Sequence, residues 1–346
     1  MRVPDEIRKS VLFIGTLENP DEPKWRATGY FLAVPDLMIT KPDEWVKGMG
    51  VRSTISYPFR FLATAKHVAE KLEGEEFALR VNKIGGGVAI LKGHADTKWW
   101  YHPTDKEHVD AALTMFLPDE LEDLDLFTVH VDLFADEQRI KELHIGAGDE
   151  VFIPGLFTKV TKTAQNVPVV RIGNLAMMPG ERIPFKDGKL FDAYLIESRS
   201  IGGLSGSPVF VRQTIKMQGY TASGRFYNSA NEPLPDNEMV FIDAVGRIYF
   251  IGSVIGHWDQ STGLSIAEQE AVNMGISPIV PAQKIKEIIT QPELLDMVKK
   301  VTKEIAAKEN KDAVYDFDDE KSRPFTQQDF DAALKKASRK ITPDKK

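Results

Sequence analysis

Short apolar runs rich in β-branched and aromatic side chains recur along the chain as far as Pro281, each bounded by Gly, Pro, Asp or Lys. This pattern predicts strands at 11–15, 28–34, 59–63, 77–81 and 111–116, and a second group at 150–155, 167–172, 194–197, 208–211, 247–256 and 275–280. Regularly spaced short strands suit antiparallel barrels. Between the groups, 135–143 reads as a linker helix, and the polar stretches 35–57 and 213–237 read as loops long enough to shape a cleft. After Pro281 the apolar period lengthens to three or four. Ile285, Ile288 and Ile289 mark one face of a helix over 282–289, and Pro292 opens another over 292–301. An acidic stretch over 310–324 leads to Thr326, which caps a final amphipathic helix carrying Phe330, Ala333 and Leu334.

Three segments carry candidate chemistry. They are Thr64-Ala65-Lys66-His67, Val109-Asp110-Ala111-Ala112 and Gly202-Gly203-Leu204-Ser205-Gly206-Ser207-Pro208. A serine hydroxyl is a weak nucleophile near neutral pH. It needs an imidazole to take its proton and a carboxylate to hold that imidazole in one tautomer. Ser205, His67 and Asp110 fit these roles. Glycines around Ser205 permit a tight turn whose amides converge on a developing oxyanion. Taken singly, each segment has an ordinary reading: a turn, a histidine opening a helix, a solvated carboxylate. Taken together, His67 follows one apolar strand and Asp110 precedes another, so a rigid scaffold presents both.

The three segments, in the order His, Asp, Ser, resemble the chymotrypsin/trypsin-like serine peptidases, whose fragments read T-A-x-H, D-(I/V/A)-A and G-x-S-G-(G/S)-P. The resemblance implies a mainly β fold of two antiparallel six-stranded β-barrels, a chymotrypsin-like double barrel, with a C-terminal helical extension. Residues 1–134 would form the N-terminal barrel bearing His67 and Asp110. Residues 135–290 would form the second barrel bearing Ser205 and the substrate pocket, with 291–346 as the extension. The extension either packs on the body or serves as a docking or autoinhibitory arm. The same resemblance implies an oxyanion hole from the Gly203 and Ser205 amides. It places Arg199 and Ser200 at the pocket base and Ile255, Gly256 and His257 on its wall. Arg199 either meets an acidic substrate side chain there or faces solvent. Leu204 stands where zymogen-activated members carry Asp, so the ion-pair switch of those members is missing. The implied activity is that of a serine endopeptidase acting on protein or peptide substrates without metal or organic cofactor. The alternative on the same fold is a catalytically silent or partner-activated peptide-binding module.

Composition changes this picture at few points. The chain has 346 residues, 42% hydrophobic and 27% charged, enough for one large core or two smaller ones. Its formal charge of −7 offers no basic field for nucleic acid. With no cysteine, it differs from the disulfide-bearing secreted members of the family. No apolar run approaches the ~20 residues a membrane helix needs, and no secretory signal core is evident near Met1. The expectation is a cytoplasmic protein of prokaryotic type.

Overall fold

The computed structural model describes residues 3–17, 22–42, 54–116, 123–157, 164–185, 188–198, 203–213, 247–256, 259–261, 271–273 and 275–308. A short helix α1 (Asp5–Lys9) precedes a seven-stranded sheet. Its strands are β1 (Val11–Thr16), β2 (Lys24–Pro42), β3 (Thr54–Thr64), β4 (Phe77–Asn82), β5 (Val88–Gly93), β6 (Ala112–Met115) and β7 (Val129–His130). The order is β5-β4-β1-β2-β3-β6, with β7 parallel to β2. A one-turn helix α2 (Lys66–Ala69) follows β3, and α3 (Glu137–Leu143) links to the second unit.

That unit closes. It comprises β8 (Glu150–Gly155), β9 (Val169–Met177), a side hairpin β10 (Ile183–Phe185) and β11 (Lys189–Phe191), then β12 (Tyr194–Glu197), β13 (Pro208–Arg212) and β14 (Ile248–Val254). A two-stranded ribbon, β15 (Asp259–Ser261) with β16 (Ala271–Asn273), comes before β17 (Ile276–Pro281). Strands β12-β17-β14-β13-β8-β9 form the closed barrel. Helices α4 (Ala282–Ile289) and α5 (Pro292–Lys308) end the described chain. None of the described helices is long and apolar enough to cross a membrane.

Apolar runs without polar interruption arise because many strands are covered on both faces. Successive side chains of a strand point to opposite faces. On β2, Tyr30 and Leu32 enter a core between the two units, while Phe31 enters the interior of the first sheet with Leu12, Ile14 and Leu62. On β13, Phe210 joins the intersheet core, whereas Val209 and Val211 fill the barrel. Phe152 and Phe250 obey the same alternation. Phe250 thus lies 5.5 Å from Tyr30, 4.7 Å from Phe134 and 6.0 Å from Phe210, centroid to centroid. Ile285, Ile288 and Ile289 of α4 pack into the same layer.

Two expectations are revised. The second closed barrel is not shown, since among the described residues β5 and β6 are unpaired edges of an open sheet. Trp100 and Leu113 exchange a pair of hydrogen bonds (2.7 and 2.9 Å) that extend the β6 edge by only an isolated bridge. A cavity of about 610 Å³ fills the space between the edges, bordered by Phe77, Leu79, Leu91, Thr114 and Phe116. The stretch 35–57, read as a loop from its prolines, instead begins and ends in strand. After an irregularity between Val34 and Met38, β2 and β3 continue pairing from Met38↔Pro58 to Pro42↔Thr54. The other expected loop, 213–237, lies outside the described residues beyond Gln213, as does the expected helix after Thr326.

Asp136 caps α3 by accepting from the Arg139 amide (3.0 Å) and binds Lys286 of α4 (2.7 Å). Burial raises its pKa, but the Lys286 and Arg139 hydrogen bonds outweigh burial and hold the carboxyl below its usual range. Stability from such a depressed carboxyl is present above its unfolded pKa and is lost as pH falls through the folded one. Asp136→Asn should therefore reduce the loss of unfolding free energy on acidification from about pH 5 to 3. An unchanged acid slope in urea titrations would contradict this. Phe250→Ala should cost about 3–5 kcal/mol, read from the denaturant midpoint. A loss below about 1 kcal/mol would mean that the ring is not part of a packed layer.

Candidate active site

Strand register brings the first two candidate residues together. Antiparallel pairing of β3 with β6 matches Thr64 to Ala112. Continuing that register past the end of β3 carries Asp110 to the start of α2. The His67 amide, an orphan donor of a first helical turn, donates to Asp110 Oδ1 at 2.9 Å. His67 Nδ1 lies 2.8 Å from Asp110 Oδ2. Asp110 is only 3% exposed, and two hydrogen bonds to one residue compensate the buried carboxylate. A carboxylate only accepts, so Nδ1 carries the proton and Nε2 keeps its lone pair. The His67 side chain is 40% exposed, leaving an edge of the ring accessible. Lys66 adds a second staple by donating to the Lys106 and Glu107 carbonyls (2.7 and 3.3 Å).

Ser205 sits at the second position of a tight turn. The Ser207 amide donates to the Leu204 carbonyl at 2.9 Å, and Gly206 has φ +80°. A positive φ at the third position alone defines a type II turn, which favours glycine there. Space demands glycine too. A Cβ on Gly206 would fall 2.3 Å from both the Thr28 carbonyl and Thr64 Oγ1, and 3.0 Å from the Ala65 amide nitrogen. The serine turn therefore lies flat against the two residues that lead into Lys66-His67. Leu204 is buried, packed over Gly155, where a Cβ would come within 2.6 Å of its Cδ2.

Thr28 holds this turn in place, and its sequence context, an ordinary β-forming threonine at a strand start, gives no sign of that role. Its amide donates to the Ser205 carbonyl (3.2 Å), and its hydroxyl donates to the Gly203 carbonyl (2.9 Å) while accepting from the Leu156 amide (2.8 Å). Its own carbonyl accepts from Thr64 Oγ1 (2.9 Å). Strand β2, the end of β8, the serine turn and the histidine segment thus share one residue.

The Leu204 carbonyl turns inward, so the trans peptide directs the Ser205 N–H away from the turn. Among the described residues, neither the Gly203 nor the Ser205 amide donates a hydrogen bond. The Ser205 hydroxyl donates to the Ile255 carbonyl at 3.3 Å. Ile255 was expected on a pocket wall. Its side chain is buried in the intersheet core, and its carbonyl stands at the serine. Gly256 follows it, buried, two residues beyond the end of β14. Arg199, Ser200 and His257 lie outside the described residues. Among the described residues, no group of three His, Asp or Glu side chains is arranged to hold a metal ion.

No protein-family model matches the chain, and no curated protein matches it in sequence. Among solved structures it is similar to the MamO protease domain of Magnetospirillum magneticum in its apo form, with 14% identity over 83% of this chain and 99% of that one and a TM-score of 0.42. It is similar to Deg5, with 14% identity over 72% and 81% of the two chains and a TM-score of 0.39. It is also similar to the HtrA-type protease AlgW bound to a decapeptide, with 12% identity over 87% and 66% and a TM-score of 0.35. With every TM-score below 0.5, these likenesses carry no weight for the chemistry, which rests on the residues themselves.

Removing the Thr28 hydroxyl should strand the buried Leu156 amide and the half-buried Gly203 carbonyl. Thr28→Val, nearly isosteric, should lower stability by about 1–3 kcal/mol, whereas Thr28→Ser should stay close to the unchanged chain. Equal denaturant midpoints for the Val and Ser variants would refute the bridging role.

Proposed function

We propose that this chain is a serine endopeptidase of the chymotrypsin-like type, acting on protein or peptide substrates. The observation that carries the reading is the double grip of Asp110 on His67, at both amide and Nδ1, beside a serine turn pressed against Thr64 and Ala65. In the proposed reaction the Ser205 hydroxyl swings from the Ile255 carbonyl toward His67. Its oxygen attacks the scissile carbonyl carbon while His67 Nε2 takes the proton. Asp110 keeps the Nδ1–H tautomer and stabilises the imidazolium. The Gly203 and Ser205 amides receive the oxyanion. His67 then returns its proton to the leaving amine, and a water molecule, activated in the same way, hydrolyses the acyl-serine.

In this reading, residues 1–134 supply the base and its orienting carboxylate. Residues 135–290 supply the nucleophile and a pocket to which Arg199, Ser200, Ile255, Gly256 and His257 contribute. No metal or organic cofactor takes part. One observation favours a second reading, a module that is silent until a partner or peptide engages it: the Ser205 hydroxyl is hydrogen-bonded to Ile255, not to His67.

A fluorophosphonate probe separates the readings. The peptidase should be labelled at Ser205 without any addition, and the silent module only when a peptide ligand is present. Ser205→Ala and His67→Ala should each abolish peptide hydrolysis to within the residual activity, with the double variant little worse than either. Asp110→Asn should slow turnover on the order of 10⁴-fold. Undiminished hydrolysis by pure Ser205→Ala protein would end the assignment.

A further inference from the structure

Between Trp100, fixed by its exchange with Leu113, and Asp110, fixed on His67, the chain runs through 101–109 without strand or helix. Its conformation therefore depends on side-chain bonds, some within the segment and others to distant elements. The Asp105 amide donates to His102 Nδ1 (3.1 Å). His102 must then carry its proton on Nε2, and it donates that proton to Glu287 Oε2 of α4 at 2.6 Å. His102 is nine-tenths or more buried. Gln291 donates to the Tyr101 carbonyl at 3.2 Å. From the barrel side, Arg182 pairs with Asp105 and, at 3.3 Å, with Asp192, whose own amide donates to the His108 carbonyl at 3.1 Å. His108 Nδ1 meets Asp105 Oδ1 at 2.5 Å. Lys284 lies 3.4 Å from Glu287 and 3.9 Å from Asp192, which closes the circuit.

Burial raises the pKa of Asp105, but the His108 hydrogen bond and the Arg182 charge outweigh it and hold the carboxyl below its usual range. The same balance, with Gln283, His102 and Lys284 as partners, holds Glu287 low. Both are charged acceptors near neutral pH.

We infer that the circuit of Glu287, His102, Asp105 and Arg182 is a positioning device for Asp110, through which α4 and the side hairpin of the second unit hold the carboxylate that aligns His67. It rests on the peptidase reading only for its effect on turnover. The residues touch neither Ser205 nor His67, so they act through the 101–110 segment. A displacement of about 1 Å at a reacting group suffices for up to about a hundredfold loss in rate.

The test compares Glu287→Ala, Glu287→Gln and Arg182→Ala in the full chain. Glu287→Gln keeps an acceptor for His102 Nε2–H. Arg182 is partly exposed, so its removal leaves no core cavity and stands in should Glu287→Ala fail to fold. Phosphonylation of Ser205 by a fluorophosphonate, with loss of fluoride, is the first readout. The second is the NMR titration of His67 in a Ser205→Ala background, which needs no activity. Glu287→Ala and Arg182→Ala should slow phosphonylation roughly tenfold or more. They should also move the His67 midpoint to lower pH, because a loosened carboxylate favours the imidazolium less. Glu287→Gln should stay near the unchanged chain in both. If the unchanged chain is not phosphonylated, the peptidase reading falls while the His67 midpoint still decides the positioning. A His67 midpoint unmoved in the folded Ala variants, or moved equally by Glu287→Gln, would overturn the inference.

Discussion

The buried hydroxyl of Thr28 is the constraint on which the arrangement depends. A threonine side chain has one proton to give and lone pairs to receive with. Here the proton goes to the Gly203 carbonyl, and the Leu156 amide occupies a lone pair. Both partners belong to the second unit, while the threonine belongs to the first. Because its backbone also binds Ser205 and Thr64, the hydrophobic layer around Phe250 need only bring the units into contact. The polar bridge then selects a single docking register. Apolar contact is tolerant of sliding; a hydrogen-bonded turn with no room for a Cβ at Gly206 is not.

Much of the candidate site was legible because its parts are local. Thr64 to His67, Asp110 with the strand after it, and the glycine-flanked Ser205 are contiguous motifs whose residue types state their chemistry. Most strands were legible for a related reason, since double-sided burial leaves long apolar runs. Strand β5 escaped notice because it is a half-exposed edge, with Ile90 50% exposed, following three consecutive glycines. The paired ends of 35–57 escaped because prolines normally interrupt ladders, and here they occupy an irregularity and strand positions at its margins.

What was not legible is long-range and polar. Thr28 and Gly203 are 175 positions apart, and His102 and Glu287 are 185 apart. Nothing about either member of such a pair, taken alone, distinguishes it from a surface threonine or glutamate. Asn166 illustrates the same point. It exchanges hydrogen bonds with Asn82 and Arg80 of β4, tying the approach to β9 onto the first sheet through residue types usually assigned to turns. Burial makes these groups obligatory partners, and burial is a property of the folded chain.

The order in which these partners occur along the chain has a consequence for biosynthesis. His67 and Asp110 leave the ribosome first, Ser205 and its Thr28-bound turn well after them, and Glu287, the contact of α4 with His102, last of all. A nascent or truncated chain that stops short of α4 holds the candidate residues but not the full set of contacts around Asp110. Under the peptidase reading proposed above, the contacts that complete the surroundings of Asp110 would therefore form only after Ser205 and its turn have been made.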